Sequence, residues 1–312
     1  MRKLSLSLIA LLVLLACGLT AFILWASQRP SAHYLSDLRS EVLATPAPAD
    51  ASGNLLLIRP QLFATDYQSP AHLRLKLATA LDRAQAAGLL RPGTLVALPE
   101  HIGTWLIGRG EKVEFYQARS RQEVRDWLLL GNPWLAVKVL VLNLDADRLD
   151  EALLRMKAEQ MAEDYQTLFA GLAREYRITL LAGSMLLPEP RLEDGRLRSG
   201  DGPLRNLSLV FGPDGNLLAP LYSEPWPWQP GEAQQFTLDG RTWRVTRDWQ
   251  PGYPQSTLHL PDGRSSAPLF LRGKLSWPVG GASRYIELTP HRAPQSSEAP
   301  GSHLLNVWLK PT

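Results

Sequence analysis

The chain has 312 residues, of which 45% are hydrophobic and 20% are charged, so it is long enough to bury one large core or two modest ones. Its formal net charge is +3, from 33 basic and 30 acidic residues with no long run of one sign. This weak and scattered charge argues against a nucleic acid partner, because nucleic-acid-binding proteins concentrate Lys and Arg in a patch or run.

The N-terminal segment predicts a membrane anchor. No charged residue occurs from Leu4 to Ala26, and roughly 20 apolar residues are enough to cross a bilayer as a helix. Arg2 and Lys3 precede this segment, and the positive-inside rule keeps such an N-terminus in the cytoplasm. The sequence therefore predicts a single-pass protein of the inner (cytoplasmic) membrane, with its globular part on the periplasmic side.

Two alternatives to an uncleaved anchor stay open. A secretory signal peptide would be removed, although its apolar region usually spans only about 7–15 residues. Residues 14–17 resemble a lipoprotein cleavage box, which would make Cys17 a lipidated N-terminus, but the apolar segment continues beyond it. All three interpretations export the body, and a body without cysteine suits an oxidising compartment.

Composition divides the chain into three parts. Residues 1–27 hold a cytoplasmic tip and the apolar segment, and residues 28–53 include a Pro- and Ala-rich stretch typical of a linker. From residue 54 onward strands alternate with helices, which predicts one α/β domain over 54–312. The predicted strands cover 55–58, 94–98, 135–142, 178–182, 207–211, 217–221 and, at a sheet edge, 304–309; the predicted helices cover 71–87, 121–130 and 149–176.

A carboxylate at the end of a predicted strand is the first candidate for a site. Glu100 follows the strand over 94–98, and open α/β sheets build their binding sites at such strand ends. Taken alone, Glu100 is better interpreted as a solvated residue at a strand end. The segments that follow in the sequence change this interpretation.

Four segments together resemble the nitrilase, or carbon–nitrogen hydrolase, superfamily. Leu98-Pro99-Glu100 is similar to its catalytic-glutamate motif, and residues 172–184 are similar to its helix leading into a strand that ends in Gly-Ser. Residues 205–215 resemble its Asn-initiated strand and Pro-Asp-Gly turn, and residues 221–224 resemble the segment carrying its catalytic lysine. The matches keep the family's order over residues 54–290, which is more specific than any one of them.

The resemblance implies a four-layer α-β-β-α sandwich preceded by the transmembrane helix. In that family a cysteine thiolate attacks the carbon of an amide or nitrile, a glutamate acts as general base and a lysine stabilises the oxyanion. Glu100 takes the position of the glutamate, Glu224 that of the lysine, and Thr246 aligns with the cysteine to within about two residues. Cys17 is the only cysteine, so the body contains no thiol.

These substitutions predict that the family's reaction is absent. A threonine hydroxyl inside a chain is a far weaker acid than a thiol, and Thr246 has no free α-amine to act as its base. A carboxylate at Glu224 repels the oxyanion that a lysine would stabilise. We therefore expect an inactive scaffold that binds a small amide-like ligand or a partner protein of the cell envelope.

An active enzyme stays open as the alternative, either as a hydrolase of non-peptide C–N bonds or with rewired chemistry. In the rewired form, Glu100 and Glu224 would act as general base and general acid in an attack by water. This needs both carboxylates in an open pocket, and an arginine or bulky side chain filling that pocket would exclude it.

The remaining expectations concern cofactors and assembly. The resemblance implies no cofactor, and the six histidines show no spacing typical of a metal site. Members of the family commonly associate through the helices that flank their sheets, so the resemblance leaves a homo-oligomer open.

Overall fold

The computed structural model describes residues 2–29, 34–134, 137, 146–227, 231–250, 253–276, 287–288 and 299–310. Within them, the strands are β1 (Ser40–Leu43), β2 (Asn54–Arg59), β3 (Gln61–Phe63), β4 (Thr94–Ala97), β5 (Thr179–Pro188), β6 (Arg191–Glu193), β7 (Arg196–Arg198), β8 (Leu204–Phe211), β9 (Tyr222–Pro225), β10 (Gln234–Leu238), β11 (Arg241–Gln250), β12 (Tyr253–His259), β13 (Arg272–Ser276), β14 (Glu287–Leu288) and β15 (Ser302–Trp308). The α-helices are α1 (Arg2–Ser27), α2 (Pro70–Ala86), α3 (Val113–Gln117), α4 (Arg121–Gly131) and α5 (Ala146–Tyr176).

A seven-stranded sheet in the order β1-β15-β2-β4-β5-β8-β9 forms the centre of the protein. Its middle strands β2, β4 and β5 run parallel, while β15 and β8 pair antiparallel with them on either side. Every residue of β2, β4 and β5 is buried, as expected for parallel strands covered on both faces. Smaller sheets are formed by β10-β11-β12, by β14-β13-β3 and by β6-β7.

The two faces of the central sheet pack against different layers. On one face, Leu56 and Val96 join a core that includes Leu77 of α2 and Tyr165 of α5. On the other face, the alternate side chains of β2 and β4 meet the inner side of the β10-β11-β12 sheet. The residues of this second core include Leu55, Leu57, Leu95, Phe236, Trp243, Val245 and Leu258. The body is thus layered helix, sheet, sheet.

The mixed α/β class with a central sheet confirms the predicted fold class. Of the four predicted layers, the described residues form three, since α2 and α5 pack on the central sheet and on each other, and α5 also contacts β7. The outer face of the β10-β11-β12 sheet carries Thr242, Arg244 and Thr246, which are exposed or half-buried. Among the described residues, this outer face carries no large apolar side chain that a fourth layer of helices would bury.

Local signals in the sequence explain where the helices begin. Ser69 caps α2 by accepting a hydrogen bond from the backbone of His72, and Pro70 opens the helix. Ser120 caps α4 in the same way through the backbone of Glu123. The predicted helices over 71–87, 121–130 and 149–176 are confirmed, with α5 starting three residues earlier than expected.

Two strand predictions differ from the structure, and a third falls almost entirely outside the described residues. The predicted strand over 135–142 lies outside the described residues except for Val137, which is helical. The segment 217–221 is wrong as a strand, because only Leu217 bridges to Phe211, and β9 is the strand that pairs with β8 on the side away from β5. The C-terminal strand over 304–309 is confirmed as a strand, but it lies inside the sheet and not at its edge.

The edge position next to β15 belongs to β1, which lies within the segment predicted as a linker. β1 pairs parallel with β15, so that Ser40 faces Ser302 and Leu43 faces Leu305. Four residues are too few to show a clear alternation, and the partner strand is more than 250 residues away in the sequence. Local patterns therefore could not reveal this pairing.

The N-terminal helix α1 matches the predicted anchor in length and composition. Residues Leu6–Ser27 form a helix that is long and apolar enough to cross a membrane, and its most apolar window is not buried against the body. In water this surface would be unfavourable, because it exposes large apolar side chains on all sides.

Candidate functional site

Glu100 lies just beyond the end of β4, in a loop that folds onto β5. The Leu98 amide donates to the Leu181 carbonyl at 2.9 Å, which continues the pairing of the two strands past the end of β4. The His101 amide then donates to the Ser184 hydroxyl at 2.8 Å. These two bonds hold the backbone on either side of Glu100.

Gly183 allows the loop to approach β5 this closely. Its φ is +72°, a conformation that favours glycine, and a Cβ at this position would lie 2.2 Å from the Pro99 carbonyl oxygen. The register of β5 against β8 shifts at the same point, between Leu181 and Ser184. The Gly-Ser pair singled out in the sequence therefore positions the backbone that carries Glu100.

Asn206 brings the two predicted carboxylates together. It lies in β8 directly opposite Glu224 of β9, and all three side chains are buried. Its Nδ2 donates to Glu100 Oε2 at 3.2 Å and to Glu224 Oε1 at 2.9 Å. One amide group therefore holds both carboxylates, so Glu100 and Glu224 lie in one buried site.

The third side chain of the site is Arg247 of β11, which reaches the carboxylates from the β10-β11-β12 sheet. Its Nε lies 3.0 Å from Glu100 Oε2 and 3.6 Å from Glu224 Oε1, as ion-pair contacts. The Arg247 and Glu100 side chains are each 4% exposed and that of Glu224 is 9% exposed, so water hardly reaches them. We call Glu100, Arg247 and Glu224 the Glu–Arg–Glu cluster.

Further atoms of the cluster also contact the protein. The Arg247 Nη2 donates to Gln234 Oε1 at 2.8 Å, and the guanidinium carbon lies 4.6 Å from the centre of the Tyr222 ring. The Tyr222 hydroxyl donates to Glu224 Oε2 at 3.2 Å. These contacts leave little of either carboxylate facing an open space.

The two carboxylates differ in how readily they ionise. Burial raises the pKa of Glu100, but the charge of Arg247 and neighbouring hydrogen bonds outweigh it and hold this pKa below the ordinary value of 4.5. Burial also raises the pKa of Glu224; Arg247 lowers it only in part and Glu100 raises it again, so this pKa is above 4.5. Arg247 is thus the primary counter-ion of Glu100.

His101, which follows Glu100, adds no positive charge at neutral pH. Burial lowers the pKa of His101 to about 4, although the neighbouring Glu100 opposes this effect. Its Nδ1 lies 3.0 Å from the Thr104 hydroxyl. The local charge therefore comes from one guanidinium and two carboxyl groups.

Thr246, predicted at the position of the cysteine, does not join the cluster. Its hydroxyl lies 2.9 Å from His259 Nε2 and 3.4 Å from the carbonyl oxygen of Thr257. These contacts are on the outer face of the β10-β11-β12 sheet, away from the central sheet. Successive side chains of a strand point to opposite faces, so Arg247 faces the carboxylates where Thr246 turns away. Arg247, the residue that faces the carboxylates, lies within the range of about two residues given for the position of the cysteine.

The sequence did contain a signal for Arg247. Trp243 and Val245 are buried in the second core, whereas Thr242 and Arg244 are exposed. Arg247 is two residues after the buried Val245, so the same alternation puts its side chain on the inner face. The alternation identifies an inward arginine, but its carboxylate partners lie on other strands and are not visible in the local pattern.

The groups in the cluster differ from the cysteine, glutamate and lysine of the carbon–nitrogen hydrolases that the sequence resembles. It contains no thiol and no ammonium group, and its only cation is an arginine, which stays protonated in proteins. Among the described residues, no group of three or more His, Cys, Asp or Glu side chains is arranged to hold a metal ion. The arrangement can neutralise and hold charge, but it presents no thiol nucleophile.

No protein-family model matches the chain, and no curated protein sequence matches it. Among solved structures it is similar to a cysteine-to-alanine mutant of the Nesterenkonia AN1 amidase from the nitrilase superfamily, with 15% identity, a TM-score of 0.31, and coverage of 62% of this chain and 55% of that chain. It is also similar to a glutamate-to-glutamine mutant of the amidase from Nesterenkonia sp. AN1, with the acetamide moiety of fluoroacetamide added covalently at the active-site cysteine. That match has 16% identity, a TM-score of 0.32, and coverage of 64% and 56%. The chain spans a little over half the length of these amidases, and likeness at this level does not establish its family.

Proposed function

We propose that this protein is an exported, membrane-anchored nitrilase-like scaffold that lacks the Cys-Glu-Lys reaction of carbon–nitrogen hydrolases. One observation carries the proposal, namely the Arg247 guanidinium placed against both Glu100 and Glu224. A buried cation in this position neutralises the charge that a general base would use.

The properties of each group support this inactivity. Glu100 has a lowered pKa and is paired with Arg247, which makes it a weak base. Glu224 would repel an oxyanion in its ionised form, and in its protonated form it would supply no positive charge. The body contains no cysteine, since Cys17 lies in α1.

The rewired two-carboxylate hydrolase receives less support. It requires an open pocket between Glu100 and Glu224, and an arginine filling that space counts against it. Arg247 lies against both carboxylates, and Asn206 donates a hydrogen bond to each of them. With the cluster closed in this way, binding through the surface of the body is favoured over binding of a small amide-like ligand at Glu100. We therefore propose a partner protein of the cell envelope as the binding target.

The test is hydrolysis by purified full-length protein in detergent, with simple amides and nitriles as substrates. We expect no turnover above buffer, because several kcal/mol of barrier lowering by nucleophile and oxyanion stabilisation are missing. Glu100→Gln should leave this background unchanged. The matched control is Glu193→Gln, an exposed glutamate whose side chain is 55% exposed. Turnover that persists in the control and disappears in Glu100→Gln would contradict the proposal and favour an active hydrolase.

A further inference from the structure

Two cationic side chains connect the C-terminal end of α1 with the body. Lys112 belongs to the body, and Arg29 follows α1 in the sequence. Lys112 Nζ donates to the carbonyl oxygens of Trp25 at 2.7 Å and Gln28 at 3.1 Å, and it lies 3.9 Å from the centre of the Trp25 ring. Arg29 Nη2 donates to the Gly131 carbonyl at 2.5 Å. A cation that binds the last carbonyls of a helix stabilises its end. The orientation of the body relative to α1 is therefore restricted.

Exposed apolar side chains lie within a few residues of Gly131 in the sequence. Leu130 is 42% exposed, Trp134 is 77% exposed and Val137 is 52% exposed. Leu130 precedes Gly131, the residue that Arg29 binds, and Trp134 and Val137 are helical and three residues apart. We call Leu130, Trp134 and Val137 the apolar patch. Large apolar side chains grouped on a surface mark an interaction site.

The position of the patch points to a lipid surface as its occupant. Trp25, in the last turn of α1, is 41% exposed, and tryptophan is enriched where a membrane-spanning helix meets the headgroups. Because the body binds the same end of α1, the patch adjoins the level at which α1 leaves a bilayer. Trp134 fits this level as well, since an indole combines an apolar ring with a polar N–H group.

We propose that the apolar patch lies in the headgroup region of the leaflet from which α1 emerges and holds the body against the membrane. The proposal rests on α1 being the membrane anchor proposed above. An apolar helical surface at such an interface buries its side chains at the boundary between headgroups and acyl chains. The patch is then a second membrane contact, separate from the spanning helix.

The test uses the full-length protein with one reporter thiol. In a Cys17→Ala background, which has no other cysteine, Leu130→Cys carries an environment-sensitive fluorophore. Leu218→Cys is the matched control, because Leu218 is 45% exposed and lines a cleft with Thr94 and Thr179, the first residues of β4 and β5. The chain segment that leads to Lys112 leaves β4 at its opposite end. Both proteins are reconstituted into phosphatidylcholine–phosphatidylglycerol vesicles with or without doxyl-labelled lipid.

We expect a blue-shifted emission at position 130 and quenching by shallow doxyl lipid that is several-fold stronger than at position 218. Adding Trp134→Ser and Val137→Ser should weaken the quenching at 130. Equal, weak quenching at both positions, in protein that resists carbonate extraction, would contradict membrane contact by the apolar patch. It would still be consistent with α1 as the membrane anchor. A blue shift without quenching would assign the patch to a protein surface and overturn the proposal. Loss of the protein from the vesicles on carbonate washing would overturn both the patch and the anchor.

Discussion

The two faces of strand β11 differ more than their sequences suggest. On the inner face, Trp243 and Val245 pack in the second core and Arg247 lies against two buried carboxylates. On the outer face, Arg244 is exposed and Thr246 contacts His259. Both faces carry an arginine, yet within the described part of the chain only the inner one has carboxylate counter-ions. The environment of each residue, and not its type, decides its role.

This difference also explains why the candidate site is closed. A buried guanidinium must have counter-ions, because leaving a charge unpaired in the interior is strongly unfavourable. Glu100 and Glu224 supply them, and Asn206 holds both carboxylates in place. The carboxylates that a two-carboxylate hydrolase would use as general base and general acid instead stabilise the charge of Arg247.

The largest expected effect comes from removing the inner arginine. Arg247→Met leaves two carboxylates buried without a cation, and we expect it to lower the free energy of unfolding by about 3–5 kcal/mol. Arg244→Met, on the outer face of the same strand, should change it by less than about 0.5 kcal/mol. Urea-induced unfolding of the full-length protein in a mild detergent measures both. Equal effects of the two substitutions would break the distinction between the faces.

A charge-neutral background sharpens this result. Arg247→Met should cost less when Glu100→Gln and Glu224→Gln are already present, because no unpaired charge is then left in the interior. If the cost stays the same, packing of the arginine side chain and not ion pairing accounts for it.

We expect a smaller effect on the free energy of unfolding from replacing either carboxylate, and its pH dependence should differ between Glu100 and Glu224. The pKa of Glu100 is lowered, so its contribution to stability is present above about pH 4.5 and is lost as the pH falls through the lowered value. The pKa of Glu224 is raised, so its contribution is present below about pH 4.5 and is lost as the pH rises through the raised value. Glu100→Gln should therefore cost most near neutral pH, and Glu224→Gln most in acid.

At the pH of its largest effect, each of these substitutions should lower the free energy of unfolding by about 1–3 kcal/mol. Urea unfolding at a series of pH values measures the change. Parallel pH dependences for the two variants would show that Arg247 does not distinguish Glu100 from Glu224.

The smallest expected effect lies on the outer face. Thr246→Val removes a half-buried hydroxyl that contacts His259, and it should change the free energy of unfolding by less than about 1 kcal/mol. The reverse exchange at the neighbouring buried position, Val245→Thr, should cost about 1–3 kcal/mol, because it buries a hydroxyl in an apolar core. The same unfolding measurement compares the two. A larger loss from Thr246→Val than from Val245→Thr would reverse the assigned facing of β11.

Several elements could be predicted because their signals are local. The serine caps and apolar spacing of α2 and α4 lie within a few residues, and β2 and β4 are uninterrupted apolar runs. The position of β15 could not be predicted in this way. Its neighbours β1 and β2 are both distant in the sequence, and an apolar strand of this length suits the interior of a sheet as well as its edge.

By itself, the sequence determined the apolar N-terminal segment, the absence of a thiol from the body and the presence of Glu100 and Glu224 near predicted strand ends. Only the tertiary structure decided that Arg247, and not Thr246, meets these carboxylates. The pairing of β11 with β12 places Val245 opposite Leu258 and Thr246 opposite Thr257, and this register sets which side chains face inward. Because side chains alternate along a strand, a shift of one residue exchanges its two faces, and contacts with distant strands select between them.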